Sequence, residues 1–273
     1  MRGIAVTSTD NNARPRYSET LFGHAVPTER HRLQLVQEVF DPITIPVLNG
    51  RGIAPKWRCL ELGAGAGSIA RWMAQQGAQV IATDTDTTFL DCVSDENVQV
   101  VKHNVVTEDF RPGTFDLIHA RFVLEHLPQR DAILAKVAGW LAPGGWLVIE
   151  DAGAFAMEAS PYPAMRNMRD AMRRYMADAI GTDAHWAPQL PILLTAADLV
   201  ETGMSVAVIV NDNGPGTAFM RATVAQLGQA IVAGGQVTEA EFAAAMRLFD
   251  DPSYVDMLAA VVSAWGRRPL CGI

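Results

Sequence analysis

Apolar residues fall into two rhythms along the chain, short continuous runs and runs at helical spacing, and the two alternate over most of its length. Leu33, Leu35, Val36 and Phe40 recur at helical spacing with Glu29 in the first turn, and Asp41-Pro42 is expected to close that segment. A second short helical piece is expected over 43–48, ending at Asn49-Gly50. Apolar runs at 58–62, 78–84, 98–101, 115–121 and, after a turn at 143–145, up to 150 read as buried strands, separated by helical stretches at 68–76, 87–93 and 131–141. Further on, Met165, Met168, Met172 and Met176 share one helical face with Tyr175 between them, while Arg166, Arg169 and Arg173 take another. Thr195-x-x-Asp198 reads as the cap of a short helix, 205–210 as a sixth strand, and 217–232 as a helix after the turn at 211–216. Thr238-x-x-Glu241 caps a helix reaching Phe249, and 257–264, ambiguous because alanine is frequent, is taken as the last strand. The alternation predicts a doubly wound α/β sheet without internal repeats.

One stretch constrains chemistry as well as backbone. After the strand carrying Cys59, Leu60 and Leu62, the order Glu61-x-Gly63-x-Gly65-x-Gly67 strips side chains from a turn, and the helix at 68–76 begins directly behind it. Such a turn admits a ligand close to the main chain and points amide N–H groups at it. A purely structural turn and a dinucleotide site are the competing readings, but the dinucleotide fingerprint needs a third glycine where this chain has Ser68. The second strand ends on Asp84, 21 positions after Gly63, which suits an acidic residue holding two ribose hydroxyls. Asp86 has the plainer task of starting the next helix.

The glycine pattern resembles the first motif of class I S-adenosylmethionine-dependent methyltransferases, and 142–146, Ala-Pro-Gly-Gly-Trp, resembles that family's turn into the fifth strand. The segment 122–128, Phe-Val-Leu-Glu-His-Leu-Pro, resembles the family's motif after the fourth strand in enzymes acting on small molecules. The resemblance implies a seven-stranded, mostly parallel sheet of order 3-2-1-4-5-7-6 with strand 7 antiparallel. It also implies an N-terminal arm with lid helices over 1–50, a Rossmann-like domain over 51–273, and helical cap segments near 153–200 and 215–250. S-adenosylmethionine is the implied cofactor and S-adenosylhomocysteine its product. Glu61, Gly63, Ala64, Gly65 and Gly67 are implied at the methionine side, Asp84 and Thr85 at the ribose, Asn104 and Val105 at the adenine, and Ala120 and Arg121 beside the methionine half. Asn104 stands where many relatives have Asp; its amide can accept from the adenine amino group and donate to N1. Arg32 is either a ligand of the methionine carboxylate or a solvated helix-face residue.

For the methyl acceptor, His126, Glu125, His24 and Tyr17 are the candidate catalytic groups, and His126 is the first choice as general base because the fold fixes its position. The alternative for His126 is loop packing. Tyr17, Phe22, Met165, Met168, Met172 and Trp186 are candidates for an apolar acceptor pocket, against the plainer reading of core and arm packing. His119 reads as a satisfied core histidine and His103 as a packing or surface residue.

Composition narrows the partners. The chain has 273 residues, 49% apolar, and a formal net charge of −8, so the basic footprint of a nucleic-acid binder is missing. Cys59, Cys92 and Cys271 are odd in number and lack metal spacing, which predicts reduced thiols in a cytoplasm and no metal site. No apolar run reaches membrane-spanning length and residues 1–16 have no apolar core, so no membrane partner is expected. The expected activity is methylation of a small aromatic or heterocyclic metabolite on C, N or O, within specialised metabolism, with a homodimer left open. The rival readings are a methyltransferase-like protein that uses the same cofactor for another reaction, and an NAD-dependent oxidoreductase.

Overall fold

The computed structural model describes residues 22–90 and 95–270. Tyr17, Cys92, Cys271 and the end of the helix expected at 87–93 lie outside them; residues 88–90 form a turn.

In chain order the elements are α1 (Glu29–Asn49), β1 (Arg58–Leu62), α2 (Ser68–Gln75), β2 (Gln79–Asp84), β3 (Val98–Lys102), β4 (Phe115–Arg121), α3 (Arg130–Gly139) and β5 (Leu141–Gly153). They continue with α4 (Phe155–Glu158), α5 (Pro163–Ile180), α6 (Leu190–Ala196), β6 (Val200–Asn211), α7 (Pro215–Ala233), α8 (Glu239–Leu248) and β7 (Asp256–Arg267). The seven strands form one sheet in the order β3-β2-β1-β4-β5-β7-β6. β1 to β5 are parallel, and β7 runs antiparallel to both β5 and β6. The order and the antiparallel last strand are those implied by the resemblance.

Alternate residues of each strand feed two cores. Leu60, Leu62, Ile118, Ala120, Leu147 and Ile149 pack with α3 and α6 on one face. Cys59, Val80, Ala82, Leu117 and Val148 pack with α2 and the end of α1 on the other. Burial, with Asp116 and Glu61 adding to it, pushes the Cys59 thiol up to about 12, so it serves as a packing group. A third cluster joins α5, α7 and α8, with Met165, Met168, Val224, Leu227 and Tyr254 at its centre. These helices form the cap. The predicted capping box opens α8: Thr238 accepts from the Glu241 N–H, and the Glu241 side chain accepts from Thr238 N–H.

Three local expectations are corrected. The helix expected to stop at Pro42 runs unbroken to Asn49 with Pro42 and Pro46 inside it. Each proline removes one intrahelical hydrogen bond, and tertiary contacts hold the turn instead: Leu48 is fully buried, and Thr44 bonds to Glu150 and Arg121. Thr195 lies inside α6, where its hydroxyl donates to the Pro191 carbonyl, and no helix follows Asp198. Pro143-Gly144-Gly145 is a bulge within β5, not a turn before it: β4 pairs Phe115 with Leu141 and then Leu117 with Trp146. No helix among the described residues is long and apolar enough to cross a membrane.

Candidate active site

The site grows from the end of β1. Gly63, Gly65 and Gly67 all have left-handed backbones, with φ of +62°, +55° and +78°. A Cβ on Gly63 would stand 2.4 Å from Val123, whereas one on Gly65 would meet only Leu33, at 3.7 Å. Two hydrogen bonds tie the turn to β2: Ala64 N–H donates to the Thr83 carbonyl (2.8 Å) and Gly65 N–H to Asp84 Oδ2 (3.0 Å). Asp84 Oδ1 accepts from Asp86 N–H at 3.1 Å. Burial raises the Asp84 carboxyl, against the pull of the Asp86 and Gly65 amides and of His24.

A cavity of about 360 Å³ runs from this turn across the carboxyl ends of the strands. At one end it is lined by Asp84, Thr85, His103, Asn104 and Val105. Asn104 Oδ1 accepts from Val106 N–H at 2.9 Å. His103 is buried and stacked on Phe110 at 4.6 Å, and neither ring nitrogen has a partner among the described residues. At mid-length Glu61 and Arg121 reach the wall. Arg121 donates to Asp41 (2.9 Å) and Thr44 (2.8 Å), both from α1.

Beyond Arg121 the chain turns through Phe122, whose φ of +56° is left-handed for a bulky residue. That strained turn delivers a one-turn 3-10 helix, Leu124–His126. Glu125 accepts from Ala152 N–H at 3.1 Å, and its other oxygen lies 3.5 Å from His126 Nε2. His126 Nδ1 meets the Thr182 hydroxyl at 2.9 Å. Asp151 sits behind them, accepting from Val123 N–H (3.2 Å) and Glu125 N–H (3.3 Å). Burial raises both carboxyls, Glu125 to about 8 with Asp183 adding to the rise, and Asp151 further through the Glu125 carboxylate beside it. Burial, then the cations Arg32 and Arg130, lower His126 to about 3. The wall here is therefore neutral near pH 7.

The far end is largely apolar, although Arg169 and Arg173 of α5 also line it. Phe40 and Phe122 meet edge to face at 4.9 Å, Phe40 and Phe219 at 5.1 Å, and Met172, Met176 and Met220 complete the lining. Glu29 and Arg32 form a buried two-bond ion pair (2.8 and 2.7 Å), and Gln226 of α7 donates to the same Glu29 at 2.7 Å. The Arg32 guanidinium lies 4.5 Å from the Phe22 ring. Arg32 is thus a buried, clamped residue and not a solvated one.

Most of the expected residues share this cavity: Glu61, Gly63, Ala64, Gly65, Asp84, Thr85, Asn104, Val105, Arg121, Arg32, Phe22, Glu125, His126 and Met172 all line it. Several do not. Met165 and Met168 are fully enclosed in the cap core, so the methionine stripe divides, and only Met172 and Met176 face the cavity. Trp186 is a core residue held by a 2.7 Å bond to Asp131. Ala120 is buried under the sheet, and Gly67 is the N-cap of α2. His24 lines the cavity, but on Phe89 (4.2 Å) and beside Asp86 (3.5 Å) at the tip of β2, at the Asp84 end and not beside Glu125 and His126. Tyr17 lies outside the described residues. Unanticipated wall residues are Leu33, Val36 and Phe40 of α1, Phe122, and Phe219 and Met220 of α7. Helical spacing marked the α1 residues as buried but not against what.

This lining suits a ligand with a nucleoside at one end and an amino acid at the other. The orphaned His103 nitrogens and the half-buried Asp84 carboxyl offer partners for the first, and Glu61 for the second.

Gly52 also has a left-handed backbone (φ +75°) but open space around it. Gly65→Ala and Gly52→Ala should each lose about 1 kcal/mol of stability from backbone strain, while only Gly65→Ala loses affinity for S-adenosylhomocysteine in calorimetry. Equal affinity in both variants would make the glycine turn purely structural. His119, 58 residues beyond Glu61 and hydrogen-bonded to it, has a pKa raised from 6.5 to about 9, because Glu61 and Glu150 outweigh the opposing effect of burial. Its stabilising contribution is full below about pH 6.5 and is lost as pH rises through about 9. Glu125, raised from 4.5 to about 8, adds a fall over the lower window between those values. Stability by urea denaturation should drop between pH 6.5 and 9, and His119→Gln should flatten the part above pH 8. A level wild-type profile over that range contradicts the assignment.

Comparison with known proteins agrees with the geometry. The methyltransferase domain family matches residues 24–187. Methyltransferase str2 of Strobilurus tenacellus is 34% identical over 150 residues, covering 53% of this chain and 54% of that protein. A ubiquinone biosynthesis O-methyltransferase of Xanthomonas campestris is 32% identical over 116 residues, covering 40% and 48%. The aligned part thus spans about half the length of these relatives. Phosphoethanolamine N-methyltransferase 2 of Haemonchus contortus, solved with S-adenosylhomocysteine, superposes with a TM-score of 0.61 at 15% identity, covering 93% of this chain and 60% of that one. The (4+2) cyclase SpnF superposes at 0.56 with 17% identity, covering 86% and 82%. These two likenesses speak to the fold. With its sheet order, its glycine turn and a family match over more than half its length, the chain belongs to the methyltransferase domain family, whose cofactor is S-adenosylmethionine.

Proposed function

We propose that the protein transfers the methyl group of S-adenosylmethionine to a small, largely apolar acceptor, an aromatic or heterocyclic metabolite of a specialised pathway. The observation that carries this reading is the continuity of one cavity. Its polar end, at Asp84, Asn104 and Glu61, opens directly into a chamber of Phe40, Phe122, Met172, Met176 and Phe219. Apolar pockets with a few fixed polar groups orient flat ligands well, and thioether side chains adapt to their shape.

S-adenosylmethionine, when bound, supplies a methyl group already activated on a sulfonium. The protein's own work is alignment, exclusion of water and acceptance of a hydrogen bond from the nucleophile. α1 and α7 close the chamber, joined by the Glu29–Gln226 and Thr28–Gln226 hydrogen bonds. His126, neutral throughout the working pH range, acts on an acceptor O–H or N–H through Thr182, whose hydroxyl it holds and which lines the cavity; with a pKa near 3 it is too weakly basic to take the proton fully before the methyl moves. Glu125 and Thr182 hold the imidazole from two sides. The similarity to a ubiquinone biosynthesis O-methyltransferase, 32% over 116 residues, favours an oxygen nucleophile.

Methyl-labelled S-adenosylmethionine offered with phenols, quinols, indoles and, for contrast, phosphoethanolamine should label the aromatic hydroxyl compounds. Label only on phosphoethanolamine overturns the acceptor class. Cofactor binding without transfer to any acceptor favours a non-methylating reaction. With a competent acceptor, His126→Ala should slow transfer about 10- to 100-fold, the worth of one hydrogen bond in the range of 1–3 kcal/mol. A rate within threefold of wild type would leave His126 as loop packing.

A further inference from the structure

A row of polar side chains crosses four adjacent strands beneath α1. Glu61 of β1 stands opposite His119 of β4 in the parallel register. On β5, Val148 faces His119, and Glu150, two residues on, shares its side of the sheet. Ser263 of β7 is the register partner of Glu150. All four are at least 95% enclosed. His119 Nδ1 lies 2.7 Å from Glu61 Oε2, and His119 Nε2 lies 3.2 Å from Glu150 Oε2. Ser263 donates to Glu150 Oε1 at 2.5 Å, and Thr44 of α1 donates to Glu150 Oε2.

The ring geometry fixes the charge. A neutral imidazole carries one N–H, so one of its two nitrogens would present a lone pair to a carboxylate oxygen; only the imidazolium donates to both. Two carboxylates and one imidazolium leave the row with one net negative charge, buried from water. The row's remaining neighbours do not cancel it. Arg121, which donates to Thr44, is already paired with Asp41, and Thr44 and Ser263 are neutral. The uncompensated charge has an outlet on one side. Glu150 spends both oxygens on His119, Thr44 and Ser263, whereas Oε1 of Glu61 has no partner among the described residues, and Glu61 lines the cavity. A buried carboxylate row lacking one cation attracts a cation at its open end.

We propose that His119 is a positioning residue for the amino-acid end of the cofactor. Held between Glu61 and Glu150, it fixes the Glu61 carboxylate at the cavity wall and leaves the row short of one positive charge, which the ammonium group of the ligand supplies. Glu150 is part of the same device although it never touches the ligand, and α1 is fastened to it through Thr44. This inference rests on the functional reading above.

The test compares two ligands that share a nucleoside. S-adenosylhomocysteine carries the ammonium; 5′-methylthioadenosine lacks the whole amino-acid end. Calorimetry on the full chain should show His119→Gln weakening S-adenosylhomocysteine at least tenfold while 5′-methylthioadenosine stays within twofold, because two buried carboxylates left without the imidazolium take up a proton between them and Glu61 is no longer held ionised at the wall. Glu150→Gln, which keeps the size of the side chain and removes one negative charge, should weaken S-adenosylhomocysteine three- to tenfold and again spare 5′-methylthioadenosine. If His119→Gln fails to fold, Glu150→Gln carries the comparison alone. Parallel losses for both ligands, or no loss for either, overturn the proposal and leave the row as packing. If the wild-type protein binds 5′-methylthioadenosine but S-adenosylhomocysteine no better, the ammonium seat is absent and the proposal fails while the nucleoside site stands. If it binds neither, the functional reading itself fails, and the proposal with it.

Discussion

A carboxylate taken out of water must find a cation, a set of hydrogen-bond donors or a proton, since the penalty for an isolated one runs to several kcal/mol. The carboxyl edge of this sheet buries four acidic side chains, Glu61, Glu125, Glu150 and Asp151, and half-buries a fifth, Asp84, and much of the architecture around it answers to that constraint. Glu61 and Glu150 share the His119 imidazolium, and hydroxyls from α1 and β7 complete Glu150. Asp84 is met by backbone N–H groups of the glycine turn and of Asp86. Glu125 and Asp151 lack a cation as close, and burial pushes them toward their protonated forms. The same constraint carries α1 through two prolines, because Thr44 and Asp41 are needed at Glu150 and Arg121.

These solutions divide the cavity into two electrostatic regions. The end near Glu61 and Asp84 carries negative charge, suited to an ammonium and to hydroxyl donors. The end near His126 and Met172 is close to neutral, with Arg32 and Arg169 already satisfied by Glu29 and Asp256. An aromatic ring would find faces and thioethers there, and Arg173, which also lines this end, shares Asp170 with Arg174. The two ends of the cavity therefore differ in physics as well as in position, and the strained Phe122 turn also reaches its wall.

The parts of this arrangement that depend on local order were legible in the sequence. The fourth strand, 115–121, the three glycines, Asp84 at the tip of β2 and the Thr238 capping box all follow from short-range patterns, and the structure has each of them. What escaped depends on which neighbours arrive from afar. Pro42 reads as a helix end until Thr44 and Leu48 are seen held by the sheet. Four methionines at helical spacing look alike, yet α7 and α8 enclose Met165 and Met168 and leave Met172 and Met176 at the cavity. His119 reads correctly as a satisfied core residue, but its two partners lie 58 positions before and 31 after it, so the charge it carries was not visible. The basicity of His126 escaped for the same reason, since it is set by burial and by Arg32 and Arg130.

On the proposed reading, one cavity holds the cofactor at its charged end and leaves its apolar end for the acceptor. A crystal structure with S-adenosylhomocysteine tests this most directly. The account predicts the ribose on Asp84, the ammonium on Glu61, and an open chamber bounded by Phe40, Met172, Met176 and Phe219. Density for the ligand inside that chamber, or a ribose away from Asp84, would contradict it.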